Sequence, residues 1–282
     1  MKGRGTAGGA VSIVNAIATG RGAALGTNLK TEAYLETAHE TGYSLTINGE
    51  SHDPALVKAV VETFAKKLDI EIIGARVETF SDIPMAVGLK SSSSAAVAIA
   101  KAFLNAVGAT MDSEKFLKLV ADASVLSGTS ITGALDDAAA CMLGGAVVTD
   151  NFGRKILRHE KIKEKLAAVI LVPPGKTYTS QFRKELLTPV NHVIETAFKL
   201  ALNGQYWTAM TVNGLAVSAA IGLSAQPAVE ALRAGALGAG VSGTGPAVSA
   251  IVGMEKVDEV AEAFASFEGR VIKCLVNGGD GG

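Results

Sequence analysis

The sequence predicts an α+β protein, and three observations carry that expectation. Its 282 residues amount to about two domains at roughly 150 residues each, or to one large domain. Hydrophobic residues make up 48% and charged residues 19%, enough apolar surface to offset the entropy of ordering and exclude intrinsic disorder. Strand and helix patterns mix irregularly, without the strict alternation that a doubly wound parallel sheet would give.

From the N-terminus, Ala10–Leu25 mixes β-branched residues with Asn15, Thr19 and several glycines, which reads as a strand, a loop around Gly20–Gly22 and a second strand. Ala33–Leu35 and Tyr43–Ile47 are further strands. Pro54–Leu68 sets Leu56, Val57, Val60, Val61, Phe64 and Leu68 at helical spacing, with Asp53 as N-cap. Ile70–Thr79 alternates as a half-buried strand does, and Pro84 and Gly88 then break the chain ahead of Ser91–Ser94. Ala95–Val107 is a helix stopped by Gly108, and Ser113–Ser124 is another, beside Asp112. Ala146–Asp150, the turn Asn151–Gly153 and Arg154–Leu157 form a hairpin. The charged stretch through Lys165 is a solvated connection, and the domain change falls here, dividing the chain into 1–152 and 153–282. Beyond it come a strand at Ala167–Val172, helices near Glu185–Leu202 and Val229–Leu232, and a last clear strand at Ala247–Val252.

Composition removes several function classes. With 26 Lys and Arg against 27 Asp and Glu, the formal charge is −1, so no basic field exists to hold nucleic acid or anionic lipid. Cys141 and Cys274 are far apart and form no CxxC pair, and His39, His52, His159 and His192 show no metal-binding spacing. A reducing cytoplasm fits that cysteine usage. The first ten residues lack the apolar core of a secretory signal, and no apolar run reaches membrane-spanning length; Ala138–Val148 and Val212–Leu223 read as buried core segments. Gly accounts for 32 residues, an excess over the usual roughly 7% that points to tight or functional loops.

Three segments carry chemistry. In Ile83–Ala96 a Gly and Ser loop runs directly into an apolar helix. Exposed N–H groups and the positive dipole end at a helix start attract phosphate, serine hydroxyls bind phosphate or its Mg²⁺, and Lys90 adds a mobile charge. The competing reading is a flexible Ser-rich linker. The segment is not a Walker A loop, and the later Pro174–Thr177 is rejected as one because Ile170 stands where the first glycine belongs. In Gly238–Ala247, Gly238, Gly240 and Gly243 superficially match a dinucleotide fingerprint, but Pro246 and a strand follow where a helix should open. A turn approaching a ligand fits better, beside a purely structural turn. In Ser130–Ala138 two adjacent acids, Asp136 and Asp137, sit among small and apolar residues. One acid can deprotonate a hydroxyl nucleophile while another group holds Mg²⁺, as phosphoryl transfer to an alcohol requires; the alternative is an N-cap pair for a helix at Ala138–Leu143.

Taken in order, these segments resemble the GHMP kinase superfamily, the galactokinase, homoserine, mevalonate and phosphomevalonate kinase group. Its central motif corresponds to Pro84, Gly88, Leu89, Ser91 and Ser92, with Lys90 in place of the usual small residue, and its third to Ser242–Pro246. Asn15–Ala24, Gly88–Ser93 and Thr132–Ala138 resemble the archaeal-type shikimate kinases within it. The resemblance implies a two-domain α+β fold with the ATP cleft between the domains, and ATP-dependent phosphorylation of the shikimate 3-hydroxyl in chorismate and aromatic amino-acid biosynthesis. Homoserine or mevalonate kinase, and a non-catalytic nucleotide-binding module, are the other readings.

By position, Pro84, Gly88, Leu89, Lys90, Ser91, Ser92, Ser93 and Ser94 would cradle ATP, with Gly243 and Gly245 lining the same cleft. Counting back from Gly144 and Gly145, the catalytic base falls on Asp137, with Asp136, one residue away, as the alternative. Ser92 would be the hydroxyl ligand of Mg²⁺. No lysine lies near Ala10 and no Glu near Leu126, where some relatives carry them, so Lys90 would supply charge and Asp136, or less well Asp122, the second metal ligand. Catalysis by positioning and electrostatics without a base is the alternative mechanism. Asn15, Ser242 and Thr244 would face the acceptor, and Arg21 and Arg183 are candidates for its carboxylate, since arginine suits bidentate recognition.

Overall fold

In a computed structural model of the chain, residues 1–38, 40–175, 177 and 182–278 are described; His39, and Lys176 of the rejected P-loop, lie outside them. Strands β1 (Lys2–Val14) and β2 (Arg21–Thr37) form a long antiparallel ribbon. The first strand starts well before Ala10 because its early residues are small for a packing reason rather than a turn. A Cβ at Gly3 would lie 2.1 Å from the Ala102 carbonyl oxygen and one at Gly5 2.1 Å from that of Ala98, so the glycines let a helix rest directly on the strand.

Strands β3 (Gly42–Ile47) and β4 (Glu50–His52) precede helix α1 (Ala55–Leu68), which buries Leu56, Val57, Val60, Val61 and Phe64. Asp53 supports its start, Oδ1 accepting from the Ala55 N–H at 2.9 Å. Strand β5 (Gly74–Ser81) leads to α2 (Ser91–Val107), the helix lying on β1, and Gly108 ends α2 at φ 67°. In α3 (Ser113–Leu126) the Asp112 carboxylate caps the Lys115 N–H at 2.8 Å. After α4 (Leu135–Leu143) come β6 (Ala146–Asp150) and β7 (Lys155–Glu160). These strands make one seven-stranded sheet, ordered β4-β3-β5-β2-β6-β7 with β1 on the other edge of β2. Because β7 pairs with β6, the first sheet extends to Glu160, beyond the expected boundary at residue 152.

The second half carries β8 (Leu166–Val172), a 3-10 helix (Lys184–Val190), α5 (Asn191–Leu202), α6 (Tyr206–Ile221), α7 (Gln226–Arg233), β9 (Gly238–Val241), β10 (Val248–Gly253), α8 (Val257–Ala265) and β11 (Arg270–Leu275). Its strands form an antiparallel four-stranded sheet in the order β11-β8-β10-β9. Helix α6 touches both halves. Gly214 faces Gly240 so closely that a Cβ at residue 214 would lie 2.3 Å from the Gly240 Cα. The middle core joins Val11, Ile13, Leu25 and Leu89 to Ile170, Phe198 and Met210, so the halves share buried apolar surface. Among the described residues no helix is long and apolar enough to cross a membrane.

Gly5→Ala should force α2 off β1 and lower the unfolding free energy by about 1–3 kcal/mol, the usual cost of overpacking. Urea denaturation checks this; an unchanged midpoint would mean that the helix shifts freely.

Candidate active site

A cleft of about 580 Å³ opens where the start of α2, the start of α4, the Gly243–Thr244 turn and the Asn15–Ile17 connection converge. Two backbone choices shape its floor. Gly88 has φ 90°, and a Cβ there would lie 1.9 Å from the Ser242 carbonyl oxygen, so only glycine fits. Lys90 is the left-handed N-cap of α2 at φ 64°. The first turn of the helix is therefore Ser91–Ser94, the four serines expected to form a loop. Its first internal bond runs from the Ser94 N–H to the Lys90 carbonyl at 2.9 Å, which leaves the N–H groups of Ser91, Ser92 and Ser93 without partners inside the helix. No acidic residue occupies that turn, so the positive dipole end is uncompensated there.

The Lys90 side chain reaches across the cleft to α4, with Nζ 3.2 Å from Asp137 Oδ1; both side chains are largely buried. Gly243 packs on the same ammonium, which lies 3.0 Å from where its Cβ would be. Asp136 is 3% exposed and accepts from Asn151 Nδ2 at 2.9 Å. Burial, and next the neighbouring Asp137 carboxylate, push its pKa up to about 7, with Lys90 and Asn151 opposing. Hydroxyls and amides tie the walls together. Ser242 Oγ donates to the Gly88 carbonyl at 2.8 Å and accepts from the Ser12 N–H at 3.0 Å. The Gly243 N–H donates to Ser12 Oγ at 2.9 Å, and Asn15 Nδ2 donates to the Gly243 carbonyl at 2.9 Å.

Of the residues singled out from sequence, Asn15, Gly88, Lys90, Ser91, Ser92, Ser93, Asp136, Asp137, Gly243 and Thr244 line the cleft together. Pro84, Leu89, Ser94, Ser242 and Gly245 do not line it: Leu89 and Ser94 face the core beneath α2, and the Ser242 hydroxyl is spent on the backbone. Arg21 is drawn to Glu195, 2.6 Å away, and lies over the Phe198 ring; Arg183 is exposed ahead of the 3-10 helix. Neither arginine reaches the cleft wall. Asp122 is held by Arg154 at 3.0 Å. Sequence reasoning missed Ser12, Asn151 and Asn213, whose side chains are buried and bonded within or beneath the site. It also missed the far end of the cleft around His52, Thr31 and Thr79. No spacing pattern marks these residues, since strands, turns and a helix from separate parts of the chain bring them in.

A family model for the GHMP kinases N terminal domain matches residues 55–145, and one for the GHMP kinases C terminal domain matches residues 208–269. The chain is 39% identical over 276 residues to a curated shikimate kinase of Methanothrix thermoacetophila, covering 98% of this chain and 94% of that one. The chain belongs to the GHMP kinases. A shikimate kinase of Pyrococcus abyssi is 37% identical over 270 residues, 95% of this chain and 97% of that one. Among solved structures, this GHMP kinase superposes on homoserine kinase from Cytophaga hutchinsonii with a TM-score of 0.76 at 20% identity, covering 98% of this chain and 95% of that one. Mevalonate kinase from Methanococcus jannaschii gives 0.74 at 17% identity, with 98% of each chain covered. Membership makes the chain an ATP-dependent small-molecule kinase with a mixed α+β fold.

Among the described residues no three His, Cys, Asp or Glu side chains converge as a metal cage. The cleft instead offers hard oxygen donors, the Ser92 hydroxyl and the Asp136 and Asp137 carboxyls; of these Asp136, the second ligand expected from sequence, is tied to Asn151 at 2.9 Å, and Asp137 Oδ1 faces Lys90 Nζ. Such a set fits Mg²⁺, which binds through one or two protein oxygens plus substrate phosphates and water.

Asp136 gives a pH signature. The folded protein keeps its proton up to about pH 7, whereas the free carboxyl releases it near 3.8. The native state thus binds more protons between those values, and stability falls as pH rises through that window. Asp136→Asn should abolish this contribution, so the melting temperature of the parent minus that of the variant should decline from about pH 4 to about pH 7. A flat difference would remove the buried acid from the account.

Proposed function

We propose that the chain is a shikimate kinase, transferring the γ-phosphoryl group of ATP to the 3-hydroxyl of shikimate. The observation that carries the chemistry is the Lys90 and Asp137 pair, 3.2 Å apart across a cleft whose floor is the open N-terminus of α2. The acceptor comes from the curated shikimate kinases that match nearly the whole chain at 36–39% identity.

The unpartnered N–H groups of Ser91, Ser92 and Ser93 receive the phosphate oxygens, and the Lys90 ammonium spreads positive charge over the moving phosphoryl group. Asp137, the more accessible of the two acids, takes the proton from the acceptor hydroxyl. That oxygen bonds to the γ-phosphorus as the bond to the β–γ bridging oxygen breaks, and ADP leaves. Ser92 is the residue that would hold Mg²⁺, which would supply charge neutralisation on the phosphates; Asp136, the second ligand expected from sequence, is tied instead to Asn151 and pressed against Gly22. Asn15 and Thr244 line the acceptor side. Buried, unpaired Cys141 and Cys274 suit a reducing cytoplasm.

Three measurements test this reading. ADP release from Mg-ATP should require shikimate and not homoserine or mevalonate; turnover with one of the latter alone would keep the ATP site and discard the acceptor. Asp137→Asn should lower kcat by roughly 10²–10⁴ while ATP affinity holds, and near-normal turnover would remove the base. Lys90→Ala should raise the KM for ATP or lower kcat, and unchanged kinetics would leave Lys90 as a structural counter-ion.

A further inference from the structure

Asn151 opens the turn between β6 and β7, where asparagine is ordinarily a solvated turn former. Here it is fully buried, and each end of its amide is engaged. Thr149 Oγ1 donates to Asn151 Oδ1 at 2.5 Å, which fixes the orientation of the amide. Nδ2 therefore donates to Asp136 Oδ1 at 2.9 Å and to Thr132 Oγ1 at 3.1 Å. The backbone is bound as well: the Asn151 N–H donates to the Gly20 carbonyl at 2.8 Å, and the Asn151 carbonyl accepts from Arg154 Nη1.

Opposite the amide, Asp136 meets the backbone of Gly22, where a Cβ would lie 2.3 Å from Oδ2. The carboxyl is thus clamped between Asn151 and β2. The N-cap of helix α4, Ala134, is left-handed at φ 47° and makes no side-chain cap bond, so the helix start is held by its own side chains: buried Leu135 in the core, Asp137 against Lys90 and the Asp136 carboxyl. A buried carboxyl is a costly anchor, and an apolar residue of similar volume would hold a helix end as well for stability alone.

We propose that Asn151 is a positioning residue for phosphoryl transfer: through the Asp136 carboxyl it sets the first turn of α4 and so places Asp137 against Lys90. This rests on the reading of Asp137 and Lys90 as the transfer point.

A double-mutant cycle on steady-state kinetics tests it, using Asn151→Leu, Asp136→Ala and the pair. Asn151→Leu should lower kcat about tenfold to a hundredfold, as misplacement by about an ångström does, with the KM for ATP within about threefold. In the Asp136→Ala background the same change should cost less than about threefold, because no carboxyl remains to be placed. Equal losses in both backgrounds, or none in either, would overturn the proposal. Should Asn151→Leu fail to fold, Thr149→Val keeps the asparagine and frees its amide, and a similar but smaller loss confined to the Asp136 background is expected; an unaffected kcat overturns the proposal. The crystal structure of whichever variant folds needs no turnover. The Lys90 to Asp137 separation should widen beyond about 4 Å, the limit of an ion pair, and an unmoved pair counts against positioning. Absence of shikimate-dependent turnover in the parent protein would sink the acceptor assignment alone, whereas normal turnover in Asp137→Asn would remove the transfer point and the positioning role with it.

Discussion

Everything at the site depends on the approach of Gly88 to Ser242. The first belongs to the chain entering α2 and the second to the turn between β9 and β10, so one contact fixes the two halves and the helix start together. The Ser242 hydroxyl donates to the Gly88 carbonyl and takes the Ser12 N–H. At such a distance the backbone leaves no space for a side chain at residue 88. The shared apolar core brings the halves together without direction, whereas these buried polar bonds are directional and specify one alignment. The start of α2 is therefore aimed by a contact between residues 154 positions apart in the chain.

The charges follow from that alignment. Two adjacent acids and one lysine meet largely buried, and burial disfavours ionising both carboxyls. The structure separates their circumstances: Asp136 is driven under the sheet, where a neutral form is favoured, and Asp137 is turned toward the ammonium. Sequence adjacency puts the pair at the start of one helix, and about 100° of rotation per residue sends their side chains to different surroundings. Identity at the residue level thus matters more than the presence of two acids.

Much of this was legible. Helical spacing located α1, and turn chemistry located the stop at Gly108. The motif around Gly88 led to a helix start, although the serines were read as loop because nothing local shows that Lys90 adopts a left-handed cap. The apolar segment Val212–Leu223 was recognised as core but not as α6, since a helix wedged between the halves is apolar on several faces and loses its periodic stripe. Strand β11 was overlooked because half of its residues face solvent and Lys273 interrupts its apolar character. Asn151 was read as a turn, a local assignment that was right for its backbone and silent about its side chain. What escaped the sequence was consistently the non-local partner.

Lys90 shows how such a site balances local cost against chemistry. A left-handed position favours glycine, and a residue with a Cβ gives up about 1 kcal/mol or more to stand there. A glycine would build the same helix start with less strain. It would not deliver an ammonium to the open end of α2, where the dipole already attracts anions and where a second positive group is unfavourable until an anion arrives. Asp137 offsets that charge within the protein alone, and on the proposed function a triphosphate at the helix start would compete for the same ammonium. Strained backbone, buried cation and neighbouring acid are thus parts of one arrangement, whose unfavourable terms an anion at the helix end would relieve.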